Sequence, residues 1–362
     1  MKLTIERSAL LGAMDKAAAI ADGRSTIPIL QHVALTAQDG VLTIRASNMD
    51  IEIVCKTPAD ISEDGETTVQ GARLYDITRA AAEGSQIDMT LGARLAVKSG
   101  RSVYQLATLP IGDFPTFAVI KPDAEVLFPA ARSLRAMLLR AASASNADKG
   151  RPILCSVYMF DDGAKLGAVA TDGKRLVLIE RETAGAPFGA IIPTAAVNHL
   201  ARICDGDSDA LLSVTASRVM VRTGDTVMTT KLLDGSYVDF RRVIPAPGPR
   251  VIKVGRDALQ TCARRTLLAA DDATRSVKVR LSAGSLALEA RGMDVEGSDE
   301  ISCSYDGEEF VTAFSGVLLA EAAGSFTDDV ITWALGTEHT YPTIMTAEDE
   351  PGVTYVLMGQ RA

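Results

Sequence analysis

The stretch Leu3–Ala18 reads LTIERSALLGAMDKAA, and its build returns twice, as FPAARSLRAMLLRAAS from Phe128 and as VIKVGRDALQTCARRTLLAA from Val251. Each copy joins a short alternating strand to Arg, then Ser or Asp in the N-cap role, then an amphipathic run: Arg7-Ser8, Arg132-Ser133 and Arg256-Asp257. The copies lie about 125 residues apart, far beyond the period of a solenoid repeat. Two further landmarks keep nearly the same step. The strands TIRASNMD, GAVATDGK and ALEARGMD pass through Ala46, Ala170 and Ala290 into turns rich in Asn, Asp and Gly. A second strand-to-helix passage follows halfway along each unit, in TTVQGARLYDITRAA, AIIPTAAVNHLARIC and EEFVTAFSGVLLAEAA.

Between the helices the first unit reads as short strands at Val41–Ala46, Ile51–Lys56, Ile87–Leu91, Leu95–Ser99 and Ser102–Thr108. Asp39-Gly40, Asp162-Gly163, Asp172-Gly173 and Asp234-Gly235 punctuate them as hairpins or loops. Each unit is thus helix, strands, helix, strands, with helix and strand segregated as in an α+β layer fold. Proline-rich joints at Pro110–Pro122 and Pro245–Pro249 separate the units, which predicts three domains at 1–120, 121–248 and 249–362.

Composition narrows the function. A chain of 362 residues, 47% hydrophobic, is too long for one ordinary core. Its apolar runs are too short to span a bilayer, and Glu6 and Arg7 stand where a signal peptide needs apolar residues, so a soluble cytoplasmic protein is expected. Cys55, Cys155, Cys204, Cys262 and Cys303 lie far apart without metal-ligand spacing and read as reduced core residues; no metal and no cofactor is expected. His32, His199 and His339 stand in no catalytic setting. ATDGKR offers Thr171, Asp172 and Lys174, but no second carboxylate cluster or phosphate loop accompanies them, so no catalytic residue is expected. A net charge of −9 argues against general affinity for nucleic acid, so any DNA contact must use a segregated basic surface. The repeated helices carry Lys16, Arg73, Arg79, Arg135, Arg140, Arg202, Arg264 and Arg265 against Asp15, Asp76, Glu83 and Glu321, a modest basic bias. Arg7, Arg132 and Arg256 oppose the helix dipole by a few tenths of a kcal/mol, so helix stability alone does not account for them.

With SGRSVYQLATLPIGDFP from Ser99, ATDGKRL from Ala170, DFRRVIP from Asp239 and R-x-T-x-P-I-L at Arg24–Leu30, the chain resembles the bacterial DNA polymerase III beta subunit over its whole length. That resemblance implies three clamp domains, each of two half-repeats. It also implies a head-to-tail homodimer closed into a pseudo-sixfold ring with helices lining the lumen. The ring would encircle duplex DNA without reading sequence and tether the polymerase III catalytic subunit, the clamp loader and other motif-bearing proteins. Size supports closure: a domain of about 120 residues behaves as a ball about 35 Å across, and six in a ring leave a hole of roughly 35 Å, enough for a duplex of about 20 Å, whereas three leave only about 5 Å.

By the same resemblance Arg24 and the loop Lys149–Arg151 meet DNA, joined on the helices by Arg73, Arg79, Arg135, Arg140 and Arg202. An apolar peptide cleft would be lined by Leu154, Thr171, Gly173, Lys174, Arg175, Leu176, Val238, Arg242, Val243, Val356 and Met358. The seam would pair Val103–Thr108 of one chain with Ile301–Tyr305 of the other, with Tyr104 and Leu106 near Leu267 and Leu268, and with Ile301 and Cys303 at the interface. Some positions depart from the family. Thr194 and Ala195 stand where relatives carry basic residues. The chain ends Met358-Gly359-Gln360-Arg361-Ala362, Val238 replaces a frequent proline, Ser315 and Leu318 alter the cleft rim, and Ala269–Arg275 is longer than usual. These departures leave open a divergent or accessory copy, and the thin lumen charge leaves open a clamp-fold scaffold with weak or no DNA encirclement.

Overall fold

The computed structural model describes residues 1–21, 23–148, 150–338 and 340–361. Lys149 and His339, both named above, lie outside the described residues. Contacts divide the chain into two compact units, Met1–Leu139 with Gly185–Asp234, and Arg140–Ala184 with Gly235–Ala362. The middle repeat is therefore shared between them.

Six helices recur in the order read from the sequence: α1 (Arg7–Ala18), α2 (Gly71–Ala80), α3 (Ala131–Ala142), α4 (Thr194–Ile203), α5 (Arg256–Thr266) and α6 (Gly316–Gly324). Apolar spacing explains which face each buries. In α1, Leu10, Ala13, Met14 and Ala17 fall at i, i+3, i+4 and i+7 and are all buried; Leu259, Cys262, Ala263 and Thr266 repeat the pattern in α5. Helix starts differ from the expectation. α1 begins at Arg7 itself, after Glu6, and α5 at Arg256, after Gly255, neither with a side-chain cap; α3 already includes Arg132 and Ser133. Ser8 instead donates to the Glu6 carboxylate at 2.9 Å.

The three arginines have a structural role that their spacing alone did not reveal. Arg7 donates through Nη2 to the carbonyl of Arg79 at 2.9 Å and through Nε to that of Thr78 at 3.3 Å, at the C-terminal end of α2. Arg256 reaches the carbonyl of Phe326, just beyond α6, at 3.5 Å and Asp329 at 3.7 Å, while Arg132 pairs with Asp207, just beyond α4. In the first and third repeats the arginine at the start of one helix reaches a carbonyl at or just past the C-terminal end of the other, where the dipole favours a cation, and in the middle repeat its partner is a carboxylate.

In the first unit one sheet runs in the order Asp60–Glu63, Lys2–Glu6, Gln86–Leu91, Leu95–Ser99, Ser102–Leu106, so Ser102–Leu106 is an edge. The second sheet runs Thr108–Leu109, Gly65–Gln70, His32–Gln38, Val41–Ser47, Ile51–Pro58, Thr226–Lys231, Arg218–Thr223, Ala210–Val214, Ala124–Phe128. The expected strand Ser102–Thr108 breaks at Ala107, after which Thr108 and Leu109 join the other sheet opposite Val69 and Thr68. Asp39 and Gly40, at φ +53° and +74°, make the two-residue hairpin turn between Gln38 and Val41.

In the second unit Ser156–Asp161, Lys165–Thr171 and Arg175–Glu182 form an antiparallel meander. It continues through Val353–Leu357, Thr343–Ala347, Val330–Leu335 and Arg250–Gly255, then Glu296–Ser304, Ser285–Arg291, Ser276–Ser282 and Phe310–Ser315. Middle-repeat strands thus extend the first repeat's sheet through Ile51–Pro58 against Thr226–Lys231, and the third repeat's through Arg175–Glu182 against Val353–Leu357. No described helix is long and apolar enough to cross a membrane.

Candidate functional site

The predicted cleft residues meet in the second unit. The turn Thr171–Arg175 is held rigidly. Gly173 sits at φ +88°, the Thr171 hydroxyl donates to the carbonyl of Arg175 at 2.6 Å, and the Asp172 carboxylate accepts from the backbone N–H of Lys174 (2.8 Å) and Arg175 (3.0 Å). Met358 is tied to the same turn, its N–H donating to the carbonyl of Lys174 at 2.9 Å. Asp172 is thereby committed to turn geometry and to an ion pair with Arg175 at 3.2 Å.

Leu176 and Val356 face each other across the ladder and are both 1% exposed. They are a buried floor, packed with Phe160, Val169, Leu178, Phe240 and Ile344. Val238, Val243 and Met358 are exposed apolar groups at the rim; Leu154 is half-buried in the turn Pro152–Cys155. Arg242 is exposed and pairs with Asp239 at 2.9 Å. Arg175 is largely buried, and its guanidinium bonds Asp172, Glu321 of α6 and the Tyr355 hydroxyl. It is a structural arginine that fixes the turn.

Aromatic residues that the sequence reading passed over underlie this floor. Tyr158 stacks on Tyr237 with centroids 5.1 Å apart, and Phe160 packs against Phe240 at 5.4 Å. Arg241 lies over both phenylalanines and pairs with Asp162 (3.2 Å) and Glu180 (3.0 Å), clipping the strap Gly235–Pro245 to the sheet. Burial pushes the Tyr237 phenol up to about 12, offset only in part by a backbone contact with Thr171. The aromatic spacing in SVYMF and GSYVDF was the available signal.

The basic residues separate into two kinds. Arg24, Arg73 and Arg151 are exposed, and neither Arg73 nor Arg151 has an ion-pair partner among the described residues. Arg79, Arg135 and Arg202 form exposed pairs with Asp76, Asp205 and Asp15; such pairs contribute about 0–1 kcal/mol and exchange readily for a phosphate. Arg140 is a correction. Its side chain is 18% exposed, pairs with Glu350 at 11% and lies over the Phe326 ring at 5.2 Å, so it is committed to a half-buried pair inside the fold rather than held free for a phosphate.

The expected seam also shifts. Ser102–Leu106 is an edge, with Val103 and Tyr104 exposed. Of the expected facing segment Ile301–Tyr305, only Ile301 and Ser302 keep a side without a strand among the described residues. Cys303 and Ser304 already pair with Val254 and Lys253, and the strand stops at Ser304. Upstream, Glu296–Ser302 pairs on one side with Ser285–Arg291 and has no strand on its other side among the described residues. Leu268 is 83% exposed nearby, while Leu267 packs against Gly316, where an added Cβ would lie 2.8 Å from its Cδ2.

Threefold repetition, continuous antiparallel sheets and paired helices are the build of a sliding clamp of DNA replication. Family models for the DNA polymerase III beta subunit match in series: the N-terminal domain at residues 1–118, the central domain at 130–239 and the C-terminal domain at 241–361. The beta sliding clamp of Caulobacter vibrioides is 30% identical over 374 residues, covering 100% of both chains; that of Escherichia coli K12 is 31% identical over 322 residues, 87% of each. Among solved structures, the DNA polymerase III subunit beta of Pseudomonas aeruginosa aligns over 100% of both chains at TM-score 0.95 and 26% identity. A sliding clamp of that organism bound to griselimycin aligns over 100% of both at TM-score 0.96 and 27% identity. The chain belongs to the DNA polymerase III beta subunit family.

Proposed function

We propose that two copies close head to tail into a non-catalytic ring around duplex DNA. This ring works in the cytoplasm and tethers the replicative polymerase, the clamp loader and other motif-bearing proteins through the Leu176–Val356 cleft. The working domains are 1–120, 121–248 and 249–362. Arg24, Arg73, Arg79, Arg135, Arg151 and Arg202, with Lys149, supply the phosphate contacts; these are sequence-blind, which suits a part that must slide.

The observation that carries this reading is that each chain offers two open strand edges that complete the series set by its own ladders. Ile53 opposes Met228, and Val177 opposes Tyr355. Stepping by the landmark Ala46, Ala170 and Ala290 takes Ile53 and Val177 to Gly297. Stepping back by the matched two-residue hairpins Thr223–Thr226 and Ser99–Ser102 takes Met228 to Tyr104. The seam therefore sets Tyr104 opposite Gly297 and Val103 opposite Ser298 of the second copy. Gly297 has no room for a side chain, because an added Cβ would lie 2.9 Å from that of Ala269; an aromatic opposite a strand glycine covers the gap.

Oxidation of the Val103→Cys/Ser298→Cys variant should give covalent dimers on non-reducing gels. Gln105→Cys, placed to meet the native Cys303 only in the downstream register, should give none; the reverse result rejects the shift. Encirclement has its own check. Loaded onto circular plasmid by a clamp loader with ATP, the protein should stay bound at salt that strips phosphate contacts and be released on linearisation, because only topological linkage depends on the ends. Loss from both forms alike would favour a scaffold that does not enclose DNA.

A further inference from the structure

We infer that the first-unit ladder carries a closed counterpart of the peptide cleft, and that the cross-strand pair Glu52–Thr229, standing where the cleft has Leu176–Val356, keeps it shut. This inference rests on the reading of the Leu176–Val356 floor as the peptide site. The two places are built alike. Glu52 opposes Thr229 as Leu176 opposes Val356, one step before Ile53–Met228 and Val177–Tyr355. Over each ladder runs a strap of the same pattern, Gly112-Asp113-Phe114-Pro115-Thr116-Phe117 over the first and Gly235-Ser236-Tyr237-Val238-Asp239-Phe240 over the second. By the same step Phe114 falls at Tyr237 and Phe117 at Phe240; each strap buries one of its two aromatics, Phe114 in the first and Phe240 in the second, and Pro115, Val119 and Ile120 fall where the cleft has Val238, Arg242 and Val243. The turn Ser47–Asp50 matches Thr171–Lys174, with Met49 at φ +76° in the place of Gly173 at +88°.

What differs is the floor. Glu52 is buried, and its carboxylate accepts from the N–H of Phe117 at 2.9 Å. Arg218 lies over the Phe117 ring at 4.8 Å and donates to the carbonyl of Ala118 at 3.2 Å, pinning the same strap. Arg45 and Arg218 both act on Glu52, yet burial still raises its pKa, so this carboxylate already sits in a poorly solvated place. An apolar anchor entering here would strip the remaining water from a carboxylate and displace the strap, whereas at Leu176–Val356 it meets only hydrocarbon. The seam register puts Glu296 opposite Gln105 at the third place, again polar, so one apolar floor remains per chain.

The test counts griselimycin bound per chain by calorimetry on the full-length protein. The wild type should bind one equivalent, and Leu176→Glu none. Glu52→Leu/Thr229→Val should bind a second, weaker equivalent that survives when Leu176→Glu is added. A double variant that melts cooperatively near the wild-type temperature yet binds only one equivalent overturns the inference. If the double variant does not fold, Glu52→Leu alone is scored by the same criterion. Should Leu176→Glu leave the wild-type equivalent intact, it is the cleft reading that fails, a separate result.

Discussion

Arg140→Ala should lower the stability of the protein by about 2 kcal/mol, a loss larger than that expected from any of the exposed arginine pairs. The reason is asymmetry between making and breaking a half-buried pair. Arg140 lies over Phe326 with its Nε and Nη2 already buried without acceptors among the described residues, and the half-buried Glu350 pairs with it. Removing the cation leaves the carboxylate with only its backbone N–H donors to offset its partial desolvation. Glu350→Ala should cost more still, because Glu350 also accepts from the N–H groups of Thr327 (2.6 Å) and Asp328 (3.1 Å), which would be orphaned. Urea denaturation of both variants against the wild type measures this, and losses under about 1 kcal/mol would show the pair to be solvated.

Acid gives a second view of the same pair. Burial alone would raise the Glu350 pKa, but the Arg140 hydrogen bond and charge and the N–H groups of Asp328 and Thr327 outweigh it and hold the group below its ordinary value of 4.5. With the folded pKa depressed, the stabilisation is complete above about pH 4.5 and is lost as pH falls through the folded value. Arg140→Ala should therefore show a shallower loss of stability on the acid side than the wild type.

Tyr104→Asp/Leu268→Asp should weaken self-association by about 100-fold or more, or about 3 kcal/mol, because both residues are large apolar groups at the proposed seam and a carboxylate there must be desolvated on closure. Sedimentation at low concentration should show monomers where the wild type is dimeric. Retention on circular DNA should vanish with them, while the griselimycin binding proposed for the Leu176–Val356 cleft, whose residues come from one chain, should be unchanged. An unaltered dimer would place the seam elsewhere.

Much of this protein is written in linear order. The threefold step, the six strand-to-helix passages, the hairpin at Asp39-Gly40 and the strand Leu95–Ser99 follow from apolar period and turn chemistry, which are local properties of a short window. So does the turn Thr171–Arg175, which carries its own hydrogen-bond partners within five positions; the rest of the proposed cleft came from the family resemblance.

Roles that depend on what a side chain meets after folding were decided only by tertiary structure. Arg140 and Arg135 are alike in sequence, two arginines on one helix, yet one is sealed against Glu350 and the other pairs at the surface with Asp205, since Glu350 lies 210 residues away along the chain and Asp205 lies 70 away. The arginines at the helix starts looked unfavourable until α2 and the segments just beyond α4 and α6 brought acceptors to them. Part of the expected seam segment is taken up within the chain, because Val254 and Lys253, some fifty residues upstream, already occupy Cys303 and Ser304. Local periodicity sets which elements form, since helix and strand bury one face by spacing alone. Which edges stay open and which charges are buried depends on long-range pairing, and no window of sequence contains both partners.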